Sequence, residues 1–278
     1  MKLIDGKKIA ERIEEEIKTK ITPPNPPLHK GGKGAVAGLA VILIGDNPES
    51  HLYVRLKEAA AKRVGIYFEK HLFEETVSEQ EIIKKINELN AKKNITGIIV
   101  QLPLPEKFDT NKIIHTILPT KDADGYHPEN LIAFQKNKFD FLPPVLCAVL
   151  EILKELNVDI KTKSFNLLTK SEIFPIPYIA YFKNRAKEFH FCSENATDVC
   201  LLSGDIVITA IGKKHYLKSE MIKKGAIVID IGAIKKGKNV YGDADPISLA
   251  KKASYLTPTP GGVGPITVAC LLKNVAKA

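Results

Sequence analysis

Residues 35–65 read AVAGLAVILIGDNPESHLYVRLKEAAAKRVG, an apolar run followed by an amphipathic one. The run 35–44 predicts a buried strand, and 45–47 predicts the turn after it. Apolar residues then recur close to the helical period, at Leu52, Leu56, Ala59, Ala60 and Val64. Gly65 ends this predicted helix. A buried strand followed directly by a helix is the repeating unit of α/β proteins.

The same alternation continues along the chain. Strands are predicted at 39–44, 67–72, 97–101, 164–168, 188–192, 205–210 and 226–231. Helices are predicted at 7–20, 49–64, 79–91, 145–156, 218–223 and 267–276. Strands that alternate with helices form parallel sheets with crossover helices, so the fold class is predicted to be α/β. A polar stretch that ends in Pro143-Pro144 predicts a joint, and we expect two α/β lobes with a cleft between them.

The composition excludes several classes of protein. The chain has 278 residues, of which 44% are hydrophobic and 26% charged, as in globular proteins. Its net charge of +9 comes from dispersed lysines, and Trp is absent, so we predict no nucleic-acid binding. The positive field suits acidic small molecules, or it is simply a lysine-rich surface. The longest apolar run is half a membrane span, so we expect no membrane association. The first residues, MKLIDGKKIAERIEEE, show no apolar signal core, so we expect a cytoplasmic protein.

The cysteines and histidines show no metal-ligand pattern. Cys147, Cys192, Cys200 and Cys270 have no short paired spacing, and the 7 histidines form no cluster in the sequence. We therefore predict reduced thiols and no metal site. Residues 22–34, TPPNPPLHKGGKG, predict an exposed loop because they are rich in Pro and Gly.

Three polar residues in the predicted helix share one of its faces. At about 100° per residue, Ser50, Tyr53 and Lys57 point the same way. This face follows the carboxyl end of a strand, where open α/β sheets place ligands. The alternative interpretation is a solvated lysine with a tyrosine packed over its stem.

Two further segments place polar groups at strand ends. Gln101 closes the strand 97–101, where its amide could orient an amine such as that of Lys57 or cap a loop. Asp124 lies in the turn Lys121-Asp-Ala-Asp-Gly-Tyr-His-Pro. A carboxylate there could accept two parallel hydrogen bonds from an aminopyrimidine ring, or serve the turn alone.

Residues 257–267, TPTPGGVGPIT, follow the last predicted strand and open the last helix. We call this segment the Pro-Gly run. Its glycines permit close backbone approach to a flat ligand, and the start of the helix adds N–H donors.

With these segments the chain resembles the bifunctional methylenetetrahydrofolate dehydrogenase/methenyltetrahydrofolate cyclohydrolase family. The matching motifs are GDNPESHLYVRLKEAAAKRVGI, IIVQLPLP, PTKDADGYHPEN, AIVIDIG, YGDAD and TPTPGGVGPIT, in the family's order. The resemblance implies hydride transfer from methylenetetrahydrofolate to NADP and hydrolysis of the methenyl product to 10-formyltetrahydrofolate. It also implies a homodimer. Residues 1–142 with 264–278 would form the folate-binding lobe, with 22–34 as an insertion, and 143–263 a Rossmann-like dinucleotide lobe.

The resemblance assigns roles to individual residues. Lys57 would be the acid/base that handles protons during water attack. The implied catalytic residues are Lys57, Tyr53 and Gln101. The implied substrate-binding residues are Ser50, Tyr53, Asp124, Pro260, Gly261 and Gly262.

The dinucleotide lobe departs from the family pattern. Where the family has Gly-Arg-Ser, three residues, Gly, one residue and Pro, this chain has Thr169-Lys-Ser-Glu-Ile-Phe-Pro175-Ile-Pro177, and no glycine occurs in 126–203. Lys170, Ser171 and Ala233 remain candidate cofactor contacts, whereas Glu194 would repel a 2′-phosphate. The cofactor could therefore be NADP, NAD or none. Two alternatives to the bifunctional enzyme stay open, a cyclohydrolase alone and a folate-binding protein without turnover.

Overall fold

A computed structural model describes residues 1–21, 37–139, 141–193 and 202–277. The strands are β1 (Lys2–Leu3), β2 (Gly38–Ile44), β3 (Tyr67–Phe73), β4 (Gly97–Val100), β5 (Ser164–Thr169), β6 (Glu188–Cys192), β7 (Ile206–Ala210), β8 (Ile227–Asp230), β9 (Ile234–Lys236), β10 (Asn239–Tyr241) and β11 (Tyr255–Leu256). The α-helices are α1 (Gly6–Ile21), α2 (Pro48–Val64), α3 (Glu79–Ala91), α4 (Thr110–His115), α5 (Pro128–Gln135), α6 (Pro144–Glu155), α7 (Pro175–Phe182), α8 (Pro246–Leu249) and α9 (Val263–Val275). The predicted loop at 22–34 and Glu194 lie outside the described residues.

The chain divides into two compact units. One comprises Met1–Ala10, Phe134–Lys138 and Val145–Thr267, and we call it the six-stranded unit. The other comprises Glu11–Ala133, Phe139–Pro144 and Val268–Ala278, and we call it the three-stranded unit.

The three-stranded unit is built on a parallel sheet of order β3-β2-β4. Every residue of β2 is buried, as the continuous apolar run GLAVILI requires of a central parallel strand. Helix α3 packs Ile82, Ile86 and Leu89 into a core with alternate residues of β2 and β4. This sheet ends, at the carboxyl edge, in the segments that carry Asn47 and Gln101.

The six-stranded unit contains a sheet of order β1-β11-β8-β7-β5-β6, parallel in every pairing. From β5 the chain passes to β6 on one side and then to β7 on the other side of β5. The carboxyl ends of β5 and β7 therefore form the topological switch point at which such sheets bind dinucleotides. The prediction of an α/β fold with a parallel, Rossmann-like second sheet is confirmed.

The predicted long helices and central strands agree closely with those observed, whereas several short elements were missed. Helix α3 and strand β6 have the predicted bounds. Helices α4, α5, α7 and α8 were not predicted, and the last three each start at a proline, which is favourable because the first helical residue needs no N–H donor. The helix predicted at 218–223 is wrong, since only a 3₁₀ turn, Ser219–Met221, forms there. Helix α9 begins earlier than predicted, at Val263.

Two findings concern the cysteines and the helices. Cys147 and Cys270 are buried, and neither is disulfide-bonded. Cys192 is disulfide-bonded, so the prediction of reduced thiols throughout is wrong. Cys200 lies outside the described residues. Among the described residues, no helix is both long enough and apolar enough to cross a membrane.

Candidate active site

Helix α2 is fixed at both ends by its own sequence. The Asn47 side chain accepts hydrogen bonds from the N–H groups of Glu49 (2.9 Å) and Ser50 (3.1 Å). Gly65 ends the helix in the left-handed region at φ 80°, a conformation that glycine adopts without strain. The start of the helix is therefore held at the carboxyl edge of β2.

The face of α2 that packs on the sheet differs from the one that its leucines suggest. Val54, Ala61 and Val64 are buried, whereas Leu52 and Leu56 are 46% and 49% exposed. The buried stripe of α2 is thus formed mainly by small residues, and the two leucines lie outside it. Ser50 is buried and Tyr53 is 42% exposed on the same side of the helix as Lys57.

Lys57 and Gln101 are joined directly. The Lys57 ammonium donates to Gln101 Oε1 at 2.9 Å. Gln101 Nε2 in turn donates to the carbonyl of Leu102 at 2.8 Å, so the amide has only one orientation that satisfies both groups. The Gln101 N–H continues the sheet by donating to Ile42 at 2.8 Å, which fixes its backbone at the end of β4.

Asp124 and Lys57 are both partly buried, and their opposite charges interact. Desolvation lowers the pKa of Lys57 below its usual range, and the Asp124 charge opposes that shift. Burial raises the pKa of Asp124 to about 6, although Lys57 acts to lower it. A lysine with a lowered pKa and a carboxylate that titrates near neutrality are suited to proton transfer.

The turn that carries Asp124 is held by a neighbouring carboxylate. Asp122 is buried and accepts hydrogen bonds from the N–H groups of Gly125 (3.1 Å) and His127 (2.7 Å) and from Asn130 Nδ2 (3.0 Å). These bonds satisfy the Asp122 carboxylate within the turn. The Asp124 carboxylate interacts electrostatically with Lys57.

Tyr126 is a polar residue in this turn that the sequence reasoning did not select. Its hydroxyl is buried and has no hydrogen-bond partner among the described residues. Burial, with Asp124 second, raises the pKa of Tyr126 above its usual range. Its only signal in the sequence is its position two residues after Asp124.

The Pro-Gly run lies in the six-stranded unit. The N–H of Gly262 donates to the Pro258 carbonyl at 2.8 Å, which closes a turn immediately before α9. Thr259 Oγ1 donates to the Gly232 carbonyl at 3.3 Å, so the run is tied to the segment after β8. Pro260 is exposed at the tip, followed by Gly261 and Gly262.

The loop between β5 and α7 has few donors for a phosphate. Ser171 N–H donates to Thr169 Oγ1 at 3.2 Å, and Phe174 N–H donates to Ser171 Oγ at 3.1 Å. The first turn of α7 contains Pro175 and Pro177, which have no N–H. At this helix start, prolines therefore remove some backbone N–H donors, and side chains of the loop already accept from others.

The side chains at this edge nevertheless fit a dinucleotide. Lys170 and Ser171 are exposed at the end of β5, and Ala233 is exposed after β8, two strands away on the same edge of the sheet. A cation and a hydroxyl at the switch point are the groups that a phosphate requires. Within the described ranges, no cluster of three His, Cys, Asp or Glu side chains could hold a metal ion.

Comparison with known proteins places this geometry in a family. The family model described as tetrahydrofolate dehydrogenase/cyclohydrolase, catalytic domain, matches residues 4–124, and the NAD(P)-binding domain of the same family matches 143–278. The chain belongs to this family. Bifunctional protein FolD of a Nitratiruptor species is 41% identical over 280 residues, covering 100% of this chain and 98% of the relative.

Solved structures of the tetrahydrofolate dehydrogenase/cyclohydrolase family are similar over the whole chain. The FolD enzyme of Campylobacter jejuni superposes with a TM-score of 0.92 at 35% identity, covering 100% of this chain and 98% of that one. The Trypanosoma brucei FolD enzyme, solved with NADP cofactor and an inhibitor, has a TM-score of 0.90 at 30% identity and covers 99% and 96%. The predicted family is therefore confirmed.

Within this family frame, the predicted residues fall into two groups. Ser50, Tyr53, Lys57, Gln101 and Asp124 lie in the three-stranded unit, where Lys57 contacts Gln101 and interacts with Asp124. The remaining predicted residues lie in the six-stranded unit: Pro260, Gly261, Gly262, Lys170, Ser171 and Ala233.

Proposed function

We propose that this protein oxidises 5,10-methylenetetrahydrofolate to 5,10-methenyltetrahydrofolate with NADP and hydrolyses the product to 10-formyltetrahydrofolate. The observation that carries the proposal is the Lys57–Gln101 hydrogen bond with the Asp124 charge beside it. Both family domains are present over almost the entire chain, which supports both activities.

In the hydrolytic step, we assign proton transfer to Lys57. Water adds to the methenyl carbon and gives up one proton to the neutral Lys57 amine, which leaves a hydroxyl on that carbon. The bond from the carbon to N5 then breaks as the hydroxyl becomes the formyl carbonyl and its proton passes to N5. The lowered pKa of Lys57 supports this role because a larger fraction of the amine is neutral near pH 7. Gln101 accepts from the lysine and keeps its nitrogen in one position.

Asp124 is proposed to bind the pterin. Its carboxylate is ionised above its pKa of about 6 and can accept two N–H bonds from an aminopyrimidine. Tyr53, exposed on α2, offers a ring on which a flat heterocycle can pack, and Ser50 supports the same face. We assign Pro260, Gly261 and Gly262 to backbone contact with the substrate.

For the oxidation, NADP supplies the nicotinamide that accepts the hydride. Lys170 would pair with a phosphate as a point charge, and Ser171 would donate its hydroxyl. Ala233 would contact the cofactor through its backbone. A homodimer and a cytoplasmic location are part of this proposal, and both rest on resemblance to the family.

One paired assay tests the proposed function. Purified protein is given methylenetetrahydrofolate with NADP while the absorbance of reduced nicotinamide is followed. It is then given methenyltetrahydrofolate alone while the loss of substrate absorbance is followed. We expect both signals. Hydrolysis without nicotinamide reduction would contradict the proposed dehydrogenase activity. Binding of folate without either signal would contradict both activities and indicate a folate-binding protein without turnover.

We expect Tyr126→Phe to stabilise the ligand-free protein and weaken folate binding. Removing a buried hydroxyl without a partner should raise the free energy of unfolding by about 1 kcal/mol. If that hydroxyl donates to the substrate, the KM for methenyltetrahydrofolate should rise about 2- to 10-fold. Thermal unfolding and steady-state kinetics measure the two effects. Tyr67→Phe, at an exposed ring in the same unit, is the control. An unchanged KM would place the Tyr126 hydroxyl away from the substrate.

A further inference from the structure

Two buried carboxylates lie at the carboxyl edge of the six-stranded sheet, outside the residues assigned above. Asp230 ends β8 and is 3% exposed, and Asp243, just after β10, is 0% exposed. Burial raises the pKa of Asp230 to about 7, with the nearby Asp243 charge as a further cause. Two adjacent buried carboxyl groups destabilise a fold unless they are hydrogen-bonded, and such groups cluster at functional sites.

Asp230 fixes the segments that follow β8 and β10. Its Oδ1 accepts from the N–H groups of Gly232 (2.9 Å) and Asp243 (3.1 Å), and its Oδ2 accepts from the N–H of Ala244 (2.9 Å). The carboxylate of Asp230 thereby places the backbone of Asp243.

Asp243 then reaches across to the loop after β7. Its Oδ2 accepts from Thr209 Oγ1 (3.0 Å) and the Ile211 N–H (2.7 Å), and its Oδ1 accepts from the Lys213 N–H (2.8 Å). Residues 211–213 leave β7 at the switch point beside β5. One side chain thus sets the path of a loop that borders the dinucleotide position.

Two glycines permit this arrangement by close approach. A Cβ on Gly232 would lie 2.5 Å from the Asp243 carboxyl carbon, and a Cβ on Gly242 would overlap Asp230 Oδ2. Any side chain at either position would displace a carboxylate. Gly232 of the motif AIVIDIG and Gly242 of YGDAD therefore leave the space in which the carboxylates of Asp243 and Asp230 lie.

We propose that Asp243, placed by Asp230, is a positioning residue for hydride transfer that holds the loop after β7 in the conformation that receives NADP. This inference rests on the proposed dehydrogenase function. Asp230 also accepts a hydrogen bond from the N–H of Gly232, the residue before Ala233. Asp230 therefore helps to orient Ala233, which we assigned to backbone contact with the cofactor. The donors to Asp243 are two N–H groups and a hydroxyl, and a carboxylate accepts from all three.

The test is Asp243→Asn, which turns one acceptor oxygen into a donor facing another donor. NADP binding, measured by titration calorimetry, should weaken about 10- to 100-fold, and kcat/KM for methylenetetrahydrofolate oxidation should fall similarly. Hydrolysis of supplied methenyltetrahydrofolate should stay within about threefold of wild type. Lys57, Gln101 and Asp124 belong to the other unit, and the Asp243 carboxylate bonds to the loop after β7 and not to the Pro-Gly run. Thr209→Val, which removes one donor, should give a smaller change in the same direction.

Asp205→Asn is the matched control. Asp205 precedes β7 at the opposite edge of the same sheet and accepts from the N–H and hydroxyl of Ser164 at 2.9 Å each. Because these hydrogen bonds lie away from the proposed cofactor site, Asp205→Asn should lower the thermal stability and leave the affinity for NADP unchanged. Equal loss of both activities in Asp243→Asn, or unchanged NADP affinity, would overturn the proposal. A wild-type protein that hydrolyses but does not reduce NADP would instead refute the dehydrogenase function on which the proposal rests.

Discussion

Lys57→Met is expected to lower the rate of methenyltetrahydrofolate hydrolysis by about 10²- to 10⁴-fold, the range for removal of a general acid or base. Methionine keeps an unbranched apolar chain as far as the ε position of lysine but has no amine that could take a proton. Because the aliphatic part still packs on α2, the fold and the folate site should persist, and substrate binding should change little.

The measurement is single-turnover loss of methenyl absorbance, with folate binding measured separately. Lys62→Met is the matched control, since it makes the same change at an exposed position of the same helix. It should leave hydrolysis unchanged. If Lys57→Met hydrolysed the substrate normally, another group would have to be the base.

Asp124→Asn is expected to raise the KM for folate substrates about 10- to 100-fold. An ionised carboxylate is replaced by an amide that accepts on one side only, and a charge-assisted hydrogen bond contributes about 1.5–3 kcal/mol. In the wild type, folate binding should weaken as pH falls through about 6, where Asp124 becomes protonated. The variant should lack that dependence.

The same variant should also change the pH profile of hydrolysis. Asp124 raises the pKa of Lys57 against desolvation, so removal of its charge lowers that pKa further. Since the neutral amine is the active form, the rising limb of kcat against pH should move to lower pH. Glu129→Gln, at an exposed acidic residue of α5, is the control and should leave both profiles in place. A limb that moves to higher pH would contradict the assignment of Lys57 and Asp124.

Much of the site could be predicted because it follows from strand ends. Gln101 and the face of α2 with Lys57 both lie at the carboxyl edge of one parallel sheet, and this rule brings together residues 44 positions apart. The shortage of N–H donors after β5 could also be predicted from the sequence, because Pro175 and Pro177 have no N–H in any conformation. Local chemistry and periodicity suffice for such features.

Other features depend on distances that no local pattern encodes. The exposure of Leu52 and Leu56 depends on which stripe of α2 packs against the rest of the unit. The orphaned hydroxyl of Tyr126 and the shared acceptors of Asp230 and Asp243 exist only once separate segments approach within about 3 Å. Sequence motifs contained these residues without distinguishing them from their neighbours.

For this protein, the amino-acid sequence by itself determined the α/β class and the family, and it singled out Lys57, Gln101 and Asp124 as candidates for the folate side. Those properties depend on the periodicity of apolar residues and on motifs of neighbouring residues, both of which can be read along the chain. Only the tertiary structure decided that Lys57 donates to Gln101, that burial raises the pKa of Asp124 to about 6, and that Asp243 accepts hydrogen bonds from the loop after β7. The physical reason is that hydrogen bonds and desolvation act over a few ångströms, and folding alone sets which groups come that close.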